Sequence, residues 1–211
     1  MQNSTVFVLL AGGKSERMEI PKGLLVYQNT YWILEQINRI VASSISEVYI
    51  GLGFNFEYYF AEIPWFIDAQ YHFQNYNGIN VKVVVNENPE LGSFSTIQSV
   101  LNIIPKNKTV LINPIDIPIL NLKELQSLIN TQNQIILPSF NNKNGHPIKL
   151  SSSFWNTLLL LNCSDSNSRL DLEIKKVDDS KITKVNVTDS CILKNLNTKS
   201  DWIAYLKLNN L

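Results

Sequence analysis

The chain has 211 residues, 45% of them hydrophobic and 17% charged, with 18 basic residues against 18 acidic ones. That length suits one domain, and the apolar share is enough to bury a core, which excludes a disordered chain. A balanced charge without a basic run excludes a non-specific nucleic-acid binder, and two distant cysteines with two histidines make neither a disulfide framework nor a zinc site.

Thr5 to Leu10 is an apolar, β-branched run and reads as a buried strand. It runs into Ala11-Gly12-Gly13, where no side chain blocks the backbone. Adjacent glycines allow a sharp turn with positive φ and exposed N–H groups. Lys14, Arg17 and Lys22 follow within nine positions. A strand that ends in an N–H-rich, cationic loop is a place to hold a polyphosphate. The loop is neither a Walker A sequence nor the Gly-x-Gly-x-x-Gly fingerprint. Tyr31 to Val41 then carries Ile33, Ile37, Ile40 and Val41 at helical spacing, and Glu47 to Gly51 reads as a second buried strand. Strand, helix and strand make a βαβ unit, hence a parallel sheet.

Residues 53 to 79 hold ten aromatics, among them Phe54, Tyr59 and Trp65. A helix packed on the sheet is the expected form, and a partner or dimer surface is the alternative. Asn77-Gly78 marks a turn. Asn80 to Val85 reads as the third strand, followed by the turn-rich loop Asn86 to Gly92 and a helix over Ser93 to Ile104 with Ser93 or Ser95 near its start. Thr109 to Asn113 is the fourth strand and leads into Pro114-Ile115-Asp116-Ile117-Pro118. A helix over Asn121 to Asn130 and a strand over Gln134 to Pro138 follow.

After the polar turn Asn141 to Pro147 and the short run Ile148 to Leu150, helices are expected over Ser152 to Leu161 and Asp171 to Lys176, the latter begun near Ser168. Ile182 to Val187 reads as a late strand and Ser200 to Leu208 as a closing helix. Strands alternating with helices give an α/β fold: a single Rossmann-like domain with a mostly parallel, doubly wound sheet and helices on both faces. No apolar run reaches membrane-spanning length and no signal-type leader is visible. The expectation is a cytoplasmic protein with free thiols and no membrane or nucleic-acid partner.

The loops at the carboxyl ends of parallel strands open onto one rim. The first brings Gly12, Gly13, Lys14, Ser15, Arg17 and Lys22, the next Ser95 and Thr96, and a third Asp116. Amides and cations that share a rim with a carboxylate are what a Mg²⁺–nucleoside triphosphate needs. Each residue also has a plainer reading. Asp116 between two prolines can be a turn former or cap, Lys22 a solvated lysine, and His146 a histidine hydrogen-bonded within a turn.

The ordered blocks resemble a family. Leu10-Ala11-Gly12-Gly13-Lys14-Ser15-Glu16-Arg17-Met18, with Lys22, is similar to the signature Leu-Ala-(Ala/Gly)-Gly-x-Ser-x-Arg-Met-Gly-x-x-Lys of the MobA-like nucleotidyltransferases, which include the molybdenum-cofactor guanylyltransferases and cytidylyltransferases. Asn88-Pro89 through Ser99, Pro114-Ile115-Asp116-Ile117-Pro118, Gly145-His146-Pro147 and Asn195-Leu196-Asn197-Thr198 with Asp201 resemble its later blocks, in family order across nearly the whole chain.

The resemblance implies a nucleotide-diphospho-sugar transferase-like fold over residues 1–211, with residues 1–140 as the nucleotide-binding part and 141–211 as the acceptor-binding and closing part. It implies that Leu10, Ala11, Gly12 and Gly13 line the base and ribose. Lys14, Ser15 and Arg17 would face the triphosphate, Lys22 the α-phosphate, and Ser95, Thr96 and Gln98 the base. Gly145 and His146 would face the acceptor, and Asp116 and Asn197 would hold Mg²⁺. Arg17, Lys22 and Asp116 would be the catalytic set.

The implied reaction moves a nucleoside monophosphate from CTP or GTP to a phosphate-bearing small molecule such as molybdopterin. A sugar phosphate acceptor, or a nucleotide-binding module without turnover, is the alternative. Both monomer and homodimer fit. Three positions depart from the family pattern. Glu19 stands where the family has Gly, Ile115 where many members have Gly, and Ser166-Asn167-Ser168 before Arg169 where a Gly-Ala pair is common.

Overall fold

In the computed structural model, which describes residues 4–209, the apolar opening run becomes strand β1 (Thr5–Ala11). Phe7, Leu9 and Ala11 pack on one face of the sheet and Val6 and Val8 on the other. All five are buried, as a strand covered on both sides requires. A small hairpin, β2 (Val26–Tyr27) and β3 (Thr30–Tyr31), leads from the cationic loop into helix α1 (Trp32–Val41). Strand β4 (Glu47–Leu52) then pairs in parallel with β1, Phe7 opposite Val48.

Residues 53–79 do not form the one helix that their aromatic run suggests. Backbone before a proline avoids the helical region, so α2 (Phe56–Glu62) ends at Ile63 and, past Pro64, α3 (Trp65–Ala69) starts afresh. Strand β5 (Gln74–Tyr76) then turns back through Asn77 and Gly78, at φ 51° and 90°, into β6 (Ile79–Val85). A two-residue hairpin turn of this kind needs positive φ at both positions, which Asn-Gly supplies.

The remaining elements fall close to their expected places: α4 (Ser93–Ile103), β7 (Thr109–Pro114), α5 (Leu122–Asn130), β8 (Ile135–Phe140), β9 (Lys143–Asn144), β10 (Ile148–Leu150), α6 (Ser152–Leu158), α7 (Leu170–Lys175), β11 (Ile182–Asn186) and α8 (Lys199–Leu208). The sheet order is β11-β8-β10-β7-β1-β4-β6-β5, with β9 on β8. Strands β7, β1, β4 and β6 are mutually parallel. Strand β10 is an antiparallel wedge between β7 and β8.

From β1 the chain moves outward to β4 and β6, then returns to β7 on the other side of β1. Strand order therefore reverses between β1 and β7. A crevice opens there at the carboxyl ends of the strands, the usual ligand position of a doubly wound sheet. One face carries α1, α2, α3, α5 and α8, and the other α4, α6 and α7.

One charge is buried in this framework. Lys149 on β10 is 3% exposed, and its Nζ donates to the Ile129 and Thr131 carbonyls at the end of α5, both at 2.6 Å. The negative end of the helix and its free carbonyls suit a cation. Burial still pulls the ammonium pKa down to about 8. Among the described residues, no helix is long and apolar enough to cross a membrane.

Candidate active site

The loop after β1 holds its shape by close packing. Positive φ at Gly12 and Gly13 does not occur; the left-handed residues are Ser15 and Glu19, at φ 54° and 64°. Gly12 is needed for another reason. A Cβ there would stand 2.7 Å from Thr96 Oγ1 and 3.0 Å from Thr96 Cγ2. Its carbonyl accepts the Phe54 N–H at 3.2 Å, which joins the loop to the end of β4. Gly13 is exposed and has open space beside it. Lys14 Nζ lies 5.0 Å from the Phe54 ring centre, a cation–π contact. The Ser15 hydroxyl accepts the Lys22 N–H at 3.1 Å and closes the loop on itself.

Glu19 turns away from this loop. Its carboxylate accepts a 2.6 Å hydrogen bond from Lys199 at the start of α8, and that bond with the lysine's charge holds its pKa below the ordinary value. Glu19 does not line the cleft.

Lys22 reaches inward. Its Nζ donates to Asp116 Oδ2 at 2.9 Å and to Asn197 Oδ1 at 2.6 Å. One ammonium thus bridges the loop after β7 and the segment before α8. The next residue, Gly23, gives its N–H to the Tyr59 hydroxyl at 3.2 Å, and a Cβ at Gly23 would come within 2.7 Å of that oxygen. Tyr59 is buried, and burial pushes its phenol pKa far up, so the hydroxyl stays neutral.

The Asp116 loop is fixed from beneath. Trp32 Nε1 donates to the Ile115 carbonyl, and Asn113 Nδ2 donates to the carbonyls of Pro114 and Ile117. Gln36 Oε1 accepts the Ile119 N–H, and the Asp116 carbonyl accepts the Leu196 N–H at 2.9 Å. This last bond fastens the loop to the segment that carries Asn197.

The block at the start of α4 divides. Gly92, at φ 94°, ends the preceding loop and caps the helix. Thr96 faces the cleft beside Gly12. Ser95 and Gln98, expected near the base, do not line the cleft. Ser95 is buried, and its hydroxyl donates to the Asn88 and Gly92 carbonyls. Gln98 Nε2 donates to the Leu158 and Leu161 carbonyls, both at 2.8 Å, at the end of α6. Helical spacing explains this: a residue two positions after Thr96 lies on another face of the helix. Asn86 at the end of β6 donates to Ser95 and Thr96 and so sets the helix start.

At the other end of the crevice, Gly145 and His146 enter from the turn after β9. The His146–Pro147 bond is cis. A Cβ at Gly145 would run into the Ile192 carbonyl oxygen. Burial pulls the His146 pKa down to about 4, against the opposing pull of the Asp116 carboxylate, so the ring is neutral at neutral pH. Beyond it, Arg169 grips Asp171 through two hydrogen bonds, at 3.0 and 3.2 Å.

The three loops and the His146 turn open onto one cleft of about 1370 Å³. Leu10, Ala11, Gly12, Gly13, Lys14 and Ser15 form one wall together with Arg17 and Lys22. Thr96, Asp116, Gly145, His146 and Asn197 complete it. A single drug-sized ligand takes up to about 1,000 Å³, so the cleft has room for two reactants. Asp116 and Asn197 offer hard oxygens of the kind Mg²⁺ accepts, and a cation already fits between them in the form of the Lys22 ammonium. Among the described residues, no group of three or more His, Cys, Asp or Glu could hold a metal. A divalent ion would draw its remaining ligands from water or phosphate, as Mg²⁺ commonly does.

Four positioning residues escape the sequence reading: Trp32, Phe54, Tyr59 and Asn113. Phe54 and Tyr59 are hidden in the aromatic run, where every ring reads as core. Asn113 had a visible signal, a polar residue at a buried position of an apolar strand.

The family model for the MobA-like NTP transferase domain matches residues 7–176. A nucleotidyl transferase from Methanothermobacter superposes with a TM-score of 0.76 at 16% identity, over 99% of this chain and 100% of that one. The Rv0371c protein of Mycobacterium tuberculosis superposes with a TM-score of 0.75 at 18% identity, over 98% and 100%. A manganese complex of the same mycobacterial protein gives 0.69 at 18% identity, again over 98% and 100%. At these identities the likeness establishes the fold. No curated protein matches the sequence.

Proposed function

This chain belongs to the MobA-like NTP transferase family and is a nucleotidyltransferase, and we propose that it transfers a nucleoside monophosphate from CTP or GTP to a phosphate-bearing acceptor such as molybdopterin, with Mg²⁺, releasing pyrophosphate. One observation carries the reading. A bare cationic loop and an oxygen pair, Asp116 and Asn197, meet at a single ammonium, Lys22, at the switch point of the sheet. The manganese complex of the mycobacterial relative supports divalent-metal use at such a fold.

In this reading the loop amides of Ala11 to Gly13, with Lys14, Ser15 and Arg17, hold the triphosphate. An oxygen of the acceptor phosphate attacks the α-phosphorus, the bond to the β-phosphate oxygen breaks, and pyrophosphate leaves. Lys22 turns from the two oxygens to the α-phosphate and stabilises the charge that gathers there. When bound, Mg²⁺ at Asp116 and Asn197 would neutralise phosphate oxygens. Neutral His146 and Gly145 orient the acceptor in line with the leaving group. In this reading residues 1–140 are the nucleotide-binding part and residues 141–211 the acceptor-binding and closing part.

A sugar or polyol phosphate is the second reading for the acceptor. The polar stretch Ser164, Asp165, Ser166 and Arg169 at the far end of the cleft favours it.

Melting curves with each of the four ribonucleoside triphosphates, with and without Mg²⁺, test the first step. A bound nucleotide at 100 times its dissociation constant stabilises by about 2.7 kcal/mol, a shift of several degrees. Isotope exchange between labelled pyrophosphate and the stabilising nucleotide, run with molybdopterin or a sugar phosphate, separates the two acceptors. No shift with any nucleotide refutes the reading.

A further inference from the structure

Asp116 lies in a loop that makes one internal backbone hydrogen bond, from the Ile117 N–H to Pro114 O at 3.1 Å. Two of the five residues from Pro114 to Pro118 have no N–H, and the chain leaves the sheet at Pro114. The other loop carbonyls need partners from elsewhere. Buried side chains donate to three of the loop's carbonyls. Asn113 Nδ2 donates to Pro114 O at 2.8 Å and to Ile117 O at 2.7 Å, and Trp32 Nε1 donates to Ile115 O at 2.7 Å. Both residues are 0% exposed. These three carbonyls bracket Asp116 on both sides.

The Asn113 amide can sit only one way round, because two carbonyls face its NH₂ group and would repel its oxygen in the flipped position. Its Oδ1 is then left buried without a partner. An orphaned buried acceptor is unfavourable. The alternate positions on this face, Leu111 and Ile115, are apolar and avoid it. A turn that only reversed the chain would do the same at position 113. The asparagine serves the carbonyls around the carboxylate at the expense of its own oxygen.

We propose that Asn113 and Trp32 are positioning residues that aim the Asp116 carboxylate at the metal by gripping the Pro114, Ile115 and Ile117 carbonyls. Neither reaches the reacting atoms, since neither lines the cleft. The inference rests on the reading of Asp116 as a metal ligand. Partners of this outer kind fix the direction in which a ligand presents its oxygens, and a carboxylate free to swing binds a cation less well.

The test reads the gain in nucleotide affinity that Mn²⁺ confers. Dissociation constants for CTP and for GTP are measured with Mn²⁺ and with EDTA for the wild type, Asn113→Leu, Trp32→Phe and Asp116→Ala. The first two variants are expected to keep the EDTA value within about twofold and to lose about tenfold or more of the Mn²⁺ gain. Residues that only hold the fold would lower the melting temperature and leave the gain intact, and that outcome overturns the proposal. If Asn113→Leu does not fold, Trp32→Phe decides alone, because it deletes one donor and keeps a ring in the core. An unchanged gain in Asp116→Ala sinks the metal reading, and this inference with it. Loss of the gain in Asp116→Ala alone sinks only the positioning role.

Discussion

Replacing Lys22 with methionine removes an ammonium and keeps a side chain of similar reach. In the wild type that ammonium stands 2.9 Å from Asp116 and 2.6 Å from Asn197, the two oxygens proposed for the metal. A free divalent ion must therefore displace it. The bare attraction between unit charges at 2.9 Å is about 6 kcal/mol at an effective dielectric of ~20. Both side chains are partly withdrawn from water, at 15% and 21% exposure, and desolvation offsets much of that figure. A charge-assisted hydrogen bond is worth about 1.5 to 3 kcal/mol net. On the scale of 1.4 kcal/mol per decade, Lys22→Met should bind Mn²⁺ alone roughly 10- to 100-fold more tightly than the wild type.

Water-proton relaxation during Mn²⁺ titration, without nucleotide, measures this directly. Arg17→Met is the control, because it deletes the same charge from the same loop without touching the oxygen pair. Its effect should stay below about threefold, the size of a screened surface charge. Turnover should move the opposite way, with kcat reduced in Lys22→Met. If Lys22→Met binds Mn²⁺ no better than Arg17→Met does, the ammonium does not guard the oxygens and the reasoning fails.

Gly12→Ala forces a Cβ to 2.7 Å from Thr96 Oγ1 and should destabilise by about 1 to 3 kcal/mol in denaturant titrations, whereas Gly13→Ala, with open space, should leave stability unchanged. Tyr59→Phe strands the Gly23 N–H and should cost about 1 to 2 kcal/mol of stability and lower kcat, because it loosens the residue next to Lys22. His146 is neutral when folded, with a pKa of about 4, against about 6.5 in the unfolded chain. The unfolded state therefore holds more protons between these values, and stability falls as pH drops through that window. At pH 5 the loss is on the order of 1 to 2 kcal/mol relative to pH 7, and His146→Asn should remove it from the pH dependence of the urea midpoint.

The strands and most helices were legible because each is a sustained periodic run, and the shared rim followed from their alternation, whereas the strand order in the sheet did not. Periodicity failed at residues 53–79, where ten aromatic rings are scattered among polar residues and short breaks, so that no single helical stripe can be read. There Pro64 and Asn77-Gly78 decided the outcome. At the site, residue types and spacing pointed to the loop and to Asp116, and the family likeness added Asn197. Distances between them did not follow, because Lys22 meets Asn197 across 175 positions. Gln98 misled because a motif is linear while a helix turns its residues through 100° each. Glu19 departs from the family pattern beside the loop, and only the partner supplied by Lys199 shows where its carboxylate goes.

The bridge at Lys22 joins positions separated by 94 and 175 residues. Asn197 in turn depends on the capping box of α8, where Asp201 accepts its N–H at 3.1 Å and Thr198 completes the cap. No fragment of the chain holds this centre, and closing such long loops is the slow part of folding. During synthesis the loop after β1 leaves the ribosome well ahead of α8, so on the proposed reading the triphosphate-binding half of the site is made before the half that carries Asn197. The last helix is therefore the natural place to look for an on–off control of this enzyme.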